Sequence, residues 1–446
     1  MAKIKRFKRA SGVIMPIFSI PSDYGIGTFG KEAYKLVDFF SNANLSYWQI
    51  LPLGPTSYGD SPYQSFSSKL KKEIEEFKKE EKYWLKDYCL YMAIKKDQLD
   101  VAWIDFPEEL KNRNKDALEE FRKNHLDEIN FYAFIQYEFF KQWRNLKAYA
   151  NRKQIEIIGD LPIYLAFDSA DTWANSNILK LDPKTKNPTV VAAVPPDAYS
   201  EDGQLWGNPI YDWEKLKESD FKFWIERIRL NLRLYDYLRL DHFRGFEAYY
   251  EVPFNDENAK YGRWQKACGD EFFKKVNEEF KDAKFIAEDL GFITEEVEKL
   301  KNKTGYPGMK VIQFAFGDDF TSSYLPHNYE KNSIVYGSTH DSDTLQGWID
   351  NLDDEKLEMV KKYFNIKEND QINWKIIRNL FMSVSDIAMF QIQDFLGYGN
   401  EARINKPGLL GENWKWRLKK EVLDDEISLK IKELSKLYGR DNYEQK

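Results

Sequence analysis

Short apolar runs alternate with amphipathic stretches along most of this chain. Runs of four to seven residues rich in β-branched and aromatic side chains read as buried strands, and eight stand out, at 13–17, 47–51, 155–160, 237–241, 285–288, 311–316, 334–340 and 388–393. Between most of them apolar positions recur at helical spacing, over 31–40, 131–150, 221–234 and 271–280. Strand and helix in alternation imply a parallel sheet. Eight such units predict an α/β fold, a closed (β/α)8 TIM barrel, rather than an open sheet. Two gaps are too long for a simple crossover, 52–154 and 161–236. They predict insertions after strands 2 and 3 of a single catalytic barrel spanning 1–446. The first is read as helical over 64–150. The second, rich in Pro, Asp and Trp, is read as mostly irregular and near the barrel mouth. The stretch 69–82 mixes Lys and Glu at helical spacing and reads as a solvated helix.

Four of the apolar runs lead into an acid: Asp160, Asp241, Glu288 and Asp341. Turns favour polar residues, so one such ending carries little meaning. Four together carry more, because the C-terminal ends of barrel strands converge on one mouth. Several carboxylates in one cleft suggest acid/base and nucleophilic chemistry on a glycosidic bond.

Bulk properties narrow the partners. The 446 residues include 66 basic and 73 acidic ones, a net charge of −7 that argues against nucleic acid. Aromatics make up 16% of the chain, which suits sugar-stacking surfaces and large cores alike. Two cysteines, Cys89 and Cys268, do not make a disulfide framework, so a reduced, cytoplasmic setting is expected. The basic N-terminus is not followed by the apolar stretch of a signal peptide, and no run approaches membrane-spanning length.

The segment Arg239-Leu240-Asp241-His242-Phe243-Arg244-Gly245 is the most informative. Arg239 lies two residues before Asp241 and so on the same side of a strand. A guanidinium there favours the charged carboxylate that a glycosidase nucleophile needs. A structural ion pair is the competing reading. Glu288 follows an apolar approach, and an acid/base needs the raised pKa that burial gives. Its neighbour Asp289 would face the other way on a continuing strand. His242 and His340 each adjoin a strand-end Asp, and no second His lies at metal-ligand spacing, so contacts to sugar hydroxyls are favoured over a metal. The aromatic, Gly- and Pro-containing loop 53–63 suits a sugar-binding rim or an ordinary surface loop. Gly25-Ile26-Gly27-Thr28-Phe29-Gly30 matches G-x-G-x-x-G, but it does not directly follow a strand and no acid ends the next one. A glycine-permitted loop leading to a helix is the better account.

Taken with Tyr58-Gly59-Asp60-Ser61-Pro62-Tyr63-Gln64, Ile158-Gly159-Asp160-Leu161-Pro162-Ile163-Tyr164, Pro195-Pro196-Asp197-Ala198-Tyr199-Ser200, Gly203-Gln204-Leu205-Trp206-Gly207-Asn208-Pro209, Thr339-His340-Asp341 and Glu401-Ala402-Arg403-Ile404-Asn405-Lys406-Pro407-Gly408, these segments resemble the 4-α-glucanotransferases. This is the amylomaltase or disproportionating-enzyme family, related to the α-amylases. The resemblance implies Asp241 as nucleophile, Glu288 as general acid/base and Asp341 as transition-state stabiliser. It implies substrate binding by Arg239, His340, His242, Asp160, Ser61, Tyr63, Tyr58, Asp197, Gln204, Trp206 and Asn208. No cofactor or metal is implied; the partners are α-1,4-glucans and maltooligosaccharides, and a monomer is the expected state. A retaining α-glucan hydrolase, or a glucan-binding protein of low activity, stands as the alternative. The chain departs from the family after Ser67, where the first insertion is shorter than usual, and at Ser342 and Glu412.

Overall fold

The computed structural model describes residues 7–53, 68–196, 201–317, 321–407 and 413–441. Their strands are, in chain order, β1 (Ala10–Ile14), β2 (Tyr47–Gln49), β3 (Glu156–Leu161), β4 (Val190–Val194), β5 (Gln204–Pro209), β6 (Tyr237–Leu240), β7 (Ala248–Pro253), β8 (Arg263–Lys266), β9 (Phe285–Ala287), β10 (Gly308–Val311), β11 (Ser333–Tyr336) and β12 (Ile387–Gln391). Eight of them form one parallel sheet in the order β10-β11-β12-β1-β2-β3-β6-β9. The sheet curls until its edge strands meet. There the Ala287 N–H donates to Pro307 O at 3.0 Å. Asp289 bridges the same seam, accepting the Met309 N–H at 2.7 Å and the Lys301 ammonium at 2.6 Å. The expected barrel is the observed fold.

Successive residues of a strand face opposite sides, and here both sides are buried. Ile158, Tyr237, Ile286, Ile334, Tyr336 and Met389 fill the barrel interior. Their neighbours Ile157, Leu238, Phe285, Val335 and Ala388 pack outward in the larger apolar cluster that includes the helices. This parity fixes the chemistry. Asp160, Arg239 and Asp241 continue the inward rows of Ile158 and Tyr237, and Glu288 continues that of Ile286. Asp289 falls on the outward row, which explains why it meets Lys301 rather than the mouth.

Several strands differ from expectation: β2 stops at Gln49, β11 stops at Tyr336 rather than His340, β12 gives way to a helix at Ile392, and β1 and β10 differ most. β1 begins at Ala10 because small residues suffice where neighbours fill the space: a Cβ on Gly12 would lie 2.4 Å from Met389 Sδ. β10 ends at Val311, and Ile312–Phe314 is a 3-10 turn. Ile312, Ala315 and Phe316 are apolar because they enter the helix layer, not because they extend a strand. In the G-x-G-x-x-G segment, a Cβ on Gly27 would sit 1.8 Å from Ile17 O, so close backbone approach explains that glycine.

The region 161–236 is more ordered than the sequence suggested. It contains β4 and β5, which join β7 and β8 in an antiparallel sheet of order β5-β4-β7-β8. The run Val190–Val194 is a clean apolar strand, obscured by the Pro- and Asn-rich residues around it. Its partner β7 lies beyond β6, so the pairing is non-local. Five helices from Ser68–Glu80 to Leu126–Arg152 occupy the first long gap. They pack on the second gap through a small core of Tyr91, Ile94, Trp103, Leu110, Phe121 and Trp173.

The last described turn locks the barrel's lower end. Fully buried Arg440 donates to Phe381 O (2.7 Å), Ala10 O (2.9 Å), Asp386 O (3.2 Å), Ser383 O (3.1 Å) and Ser385 O (3.0 Å). Arg440→Ala is expected to lower unfolding free energy by about 3–5 kcal/mol, because it strips donors from several buried carbonyls. Urea titration measures this as a shifted midpoint at unchanged slope; a loss under about 1 kcal/mol would contradict it.

Candidate active site

At the C-terminal end of the barrel, supports are buried and reactive groups are open. The side chains of Asp160 and Arg239 are each 5% exposed, whereas Asp241 is 37% and Asp341 42% exposed. The backbone explains the arrangement. β3 and β6 pair with Asp160 opposite Arg239. Arg239 Nη1 lies 2.6 Å from both Asp160 oxygens and 3.2 Å from Asp241 Oδ1. The guanidinium is thus anchored from behind and presented to Asp241. Burial opposes the Arg239 charge, but Asp160, Asp241 and Glu288 together hold its pKa well above the ordinary value.

Glu288 stands one position beyond the paired Leu240 and Ala287, level with Asp241 on the adjoining strand. Its Oε2 accepts the His242 N–H at 2.7 Å and its Oε1 the Leu290 N–H at 3.1 Å. The first contact exists because His242 adopts left-handed backbone geometry (φ 47°), rare for a residue with a Cβ. Burial pushes the Glu288 carboxyl up to about 8; Arg239 opposes this and the nearby Asp241 charge adds to it. Glu288 therefore holds a proton at neutral pH. Burial likewise pushes the His242 imidazole down to about 4, so that ring is neutral.

Asp341 sits on the segment after β11. His340 Nε2 lies 2.9 Å from its Oδ2, and Asn405 Nδ2 donates to its Oδ1 at 2.6 Å. Burial works against the charge, but His340, Asn405 and Arg239 hold the Asp341 carboxyl well below the usual range. His340 is raised in return: burial opposes its charge and Asp341 outweighs it. Asn405 and Arg403, the latter donating from Nη2 to Asp341 O at 2.9 Å, were not singled out from sequence. They lie more than 60 residues away, and only the match of segment 401–408 to the family pointed there.

The remaining expected residues divide. Trp206, on edge strand β5, has its ring 4.9 Å from that of His242, and its Nε1 donates to Gln204 Oε1 at 3.2 Å. Both lie at the mouth. Asn208 instead donates to Leu165 O at 2.8 Å, tying β5 to the segment after β3. Tyr58, Ser61, Tyr63 and Asp197 lie outside the described residues. Among the described residues, no group of three or more His, Cys, Asp and Glu side chains is arranged to hold a metal ion.

The profile of the family described as 4-alpha-glucanotransferase matches residues 15–71 and 67–423. The chain belongs to this family. It is 44% identical to a 4-alpha-glucanotransferase of Clostridium butyricum over 485 residues, covering 96% of this chain and all of the relative. It is 42% identical to one of Aquifex aeolicus, covering 97% of this chain and all of the relative. A solved amylomaltase from Streptococcus agalactiae, in complex with acarbose, superposes with a TM-score of 0.93 at 38% identity, covering 98% of this chain and all of that one. The enzyme is a 4-alpha-glucanotransferase, which transfers glucan segments. Among the described residues no helix is long and apolar enough to cross a membrane.

Proposed function

We propose that this transferase works with retention through a covalent glycosyl–Asp241 intermediate, on α-1,4-glucans and maltooligosaccharides. The observation that carries the reading is the contrast between two neighbouring carboxylates. Asp241 faces a guanidinium, whereas Glu288, half-buried at the same level of the next strand, has its carboxyl pushed up to about 8 by desolvation. Adjacent strands lie about 4.7–4.9 Å apart. Two carboxyl groups side by side on adjoining strands suit the roughly 5–5.5 Å separation of retaining enzymes.

In this reading Glu288 gives its proton to the glycosidic oxygen while Asp241 attacks the anomeric carbon, with inversion. Glu288 then takes the proton of the acceptor's 4-hydroxyl as that oxygen displaces Asp241, with a second inversion. Asp341, kept ionised by His340 and Asn405, stabilises positive charge on the distorted ring. Arg239, His340 and His242 bind the reacting glucose, backed by Asp160. Trp206 and Gln204 cover it; by the family resemblance Asp197 belongs to the same covering loop, Ser61 and Tyr63 to donor-side binding, and Tyr58 to binding of longer glucans. Asn208 supports the covering strand. Excluding water from the intermediate favours transfer over hydrolysis.

The segment after Ser67 is read as a shortened form of the family's first insertion. Two findings support this: the profile match breaks at 67–71, and the alignment to the C. butyricum relative is longer than the 446-residue chain. Incubation with maltotriose tests the function. Glucose and longer maltodextrins are expected with no net rise in reducing ends. A rise matching the bonds broken would mean hydrolysis and contradict the reading.

A further inference from the structure

Asp394 is a buried acid that the reaction does not consume. It follows β12, in the helix Ile392–Leu396, and its side chain is wholly inaccessible. Oδ2 accepts the Ser338 hydroxyl at 2.6 Å and the Gln391 N–H at 3.1 Å, and Oδ1 accepts the Leu345 N–H at 2.8 Å. Gln391 Nε2 donates in turn to Ser338 Oγ at 2.7 Å. Ser338 lies two residues beyond the end of β11. Leu345 is the first residue of the helix Leu345–Asp350, where backbone N–H groups have no partner within the helix. One carboxylate therefore grips both ends of the stretch 338–345, and His340 and Asp341 lie between those ends. From another side, Gln313 Nε2 donates to Gly337 O at 3.3 Å and Asp343 O at 2.8 Å.

The chemistry of the site explains why an acid stands there despite the cost of burying one. Backbone or hydroxyl donors approach both oxygens. An amide of the same shape turns one oxygen into a donor, and whichever way it is flipped its NH2 meets a backbone N–H. Only a carboxylate accepts from all three groups at once. We infer that Asp394 is a positioning residue for the transfer reaction, acting through Ser338 and Leu345 to hold Asp341 and His340 in line with the reacting sugar.

This rests on the proposed roles of Asp341 and His340. Small displacements of positioned groups cost up to about a hundredfold in rate, so Asp394→Asn should lower kcat on maltotriose by about ten- to a hundredfold. KM should change less than kcat does, because apart from His340 the substrate-binding groups lie on other strands and are untouched. Ser338→Ala, which removes one bond of three, should lower kcat by a few-fold with normal folding by circular dichroism; it keeps the test decisive if Asp394→Asn misfolds. The diagnostic measurement is a double-mutant cycle with Asp341→Asn. If Asp394 acts through Asp341, the Asp341→Asn/Asp394→Asn protein is no slower than Asp341→Asn alone. Multiplying losses would mark a general structural role and overturn the inference. So would unchanged kcat in folded Asp394→Asn or Ser338→Ala while Asp341→Asn is strongly but measurably slowed, the outcome that leaves the role of Asp341 standing. Near-normal turnover by Asp341→Asn would instead overturn that role, and this inference with it.

Discussion

Asp241→Asn is expected to lose about four orders of magnitude or more in kcat on maltotriose while remaining folded. The amide is nearly isosteric but is a far poorer nucleophile at the anomeric carbon. The Asp241 side chain is 37% exposed and bonds Arg239 at 3.2 Å, whereas the guanidinium's main anchor, Asp160, stays in place. Thermal unfolding should therefore shift by only a few degrees. A second variant separates chemistry from binding. Asp241→Ala leaves room for a small anion, so azide with an activated glycosyl fluoride should give a glycosyl azide of inverted configuration. Substantial transfer by folded Asp241→Asn would remove it from the nucleophile's role.

Glu288 sets the expected pH dependence. A general acid acts only while protonated, and burial raises this carboxyl from 4.5 to about 8. The kcat/KM profile on maltotriose should thus hold through neutrality and fall as pH rises through about 8. Glu288→Gln should cost about 10²–10⁴-fold on maltotriose. It should cost far less for formation of the intermediate from a glycosyl fluoride, whose leaving group needs no proton. An activity loss beginning near pH 5 would show that Glu288 is not the acid. Linkage has the same sign. A carboxyl raised in the folded state contributes stability that is fully present below 4.5 and lost as pH rises through about 8.

The barrel was legible because buried parallel strands are apolar on both faces and stand out against amphipathic helices. The same rule misled at 311–316, where apolar residues mark entry into the helix layer. It passed over Val190–Val194, which pairs with β5 on one side and on the other with β7, some 60 residues away. At the site, strand parity separated Glu288 from Asp289 correctly, since it depends only on local geometry. Asn405, Arg403 and Asp394 were not legible as supports of the segment after β11. Their contacts span about 50 residues or more, and an Asn, an Arg or an Asp carries no local sign of where it will reach. Residue numbers alone also did not separate Asn208, which braces backbone, from Trp206 two positions earlier.

β1 pairs along its full length with β12, from Ala10 beside Ile387 to Ile14 beside Gln391. During synthesis at about 5–20 residues per second, the first strand therefore waits roughly 20–75 seconds for its neighbour to be made. Until then one side of β1 is an edge of unpaired backbone N–H and C=O groups able to template wrong associations. β2 and β3 can form on its other side in the meantime, but the ring stays open. Arg440, which also reaches back to Ala10, arrives later still. Birth of this enzyme is thus gated by the segment from Ile387 onward, and a ribosome that stalls before it releases a sheet with an adhesive margin.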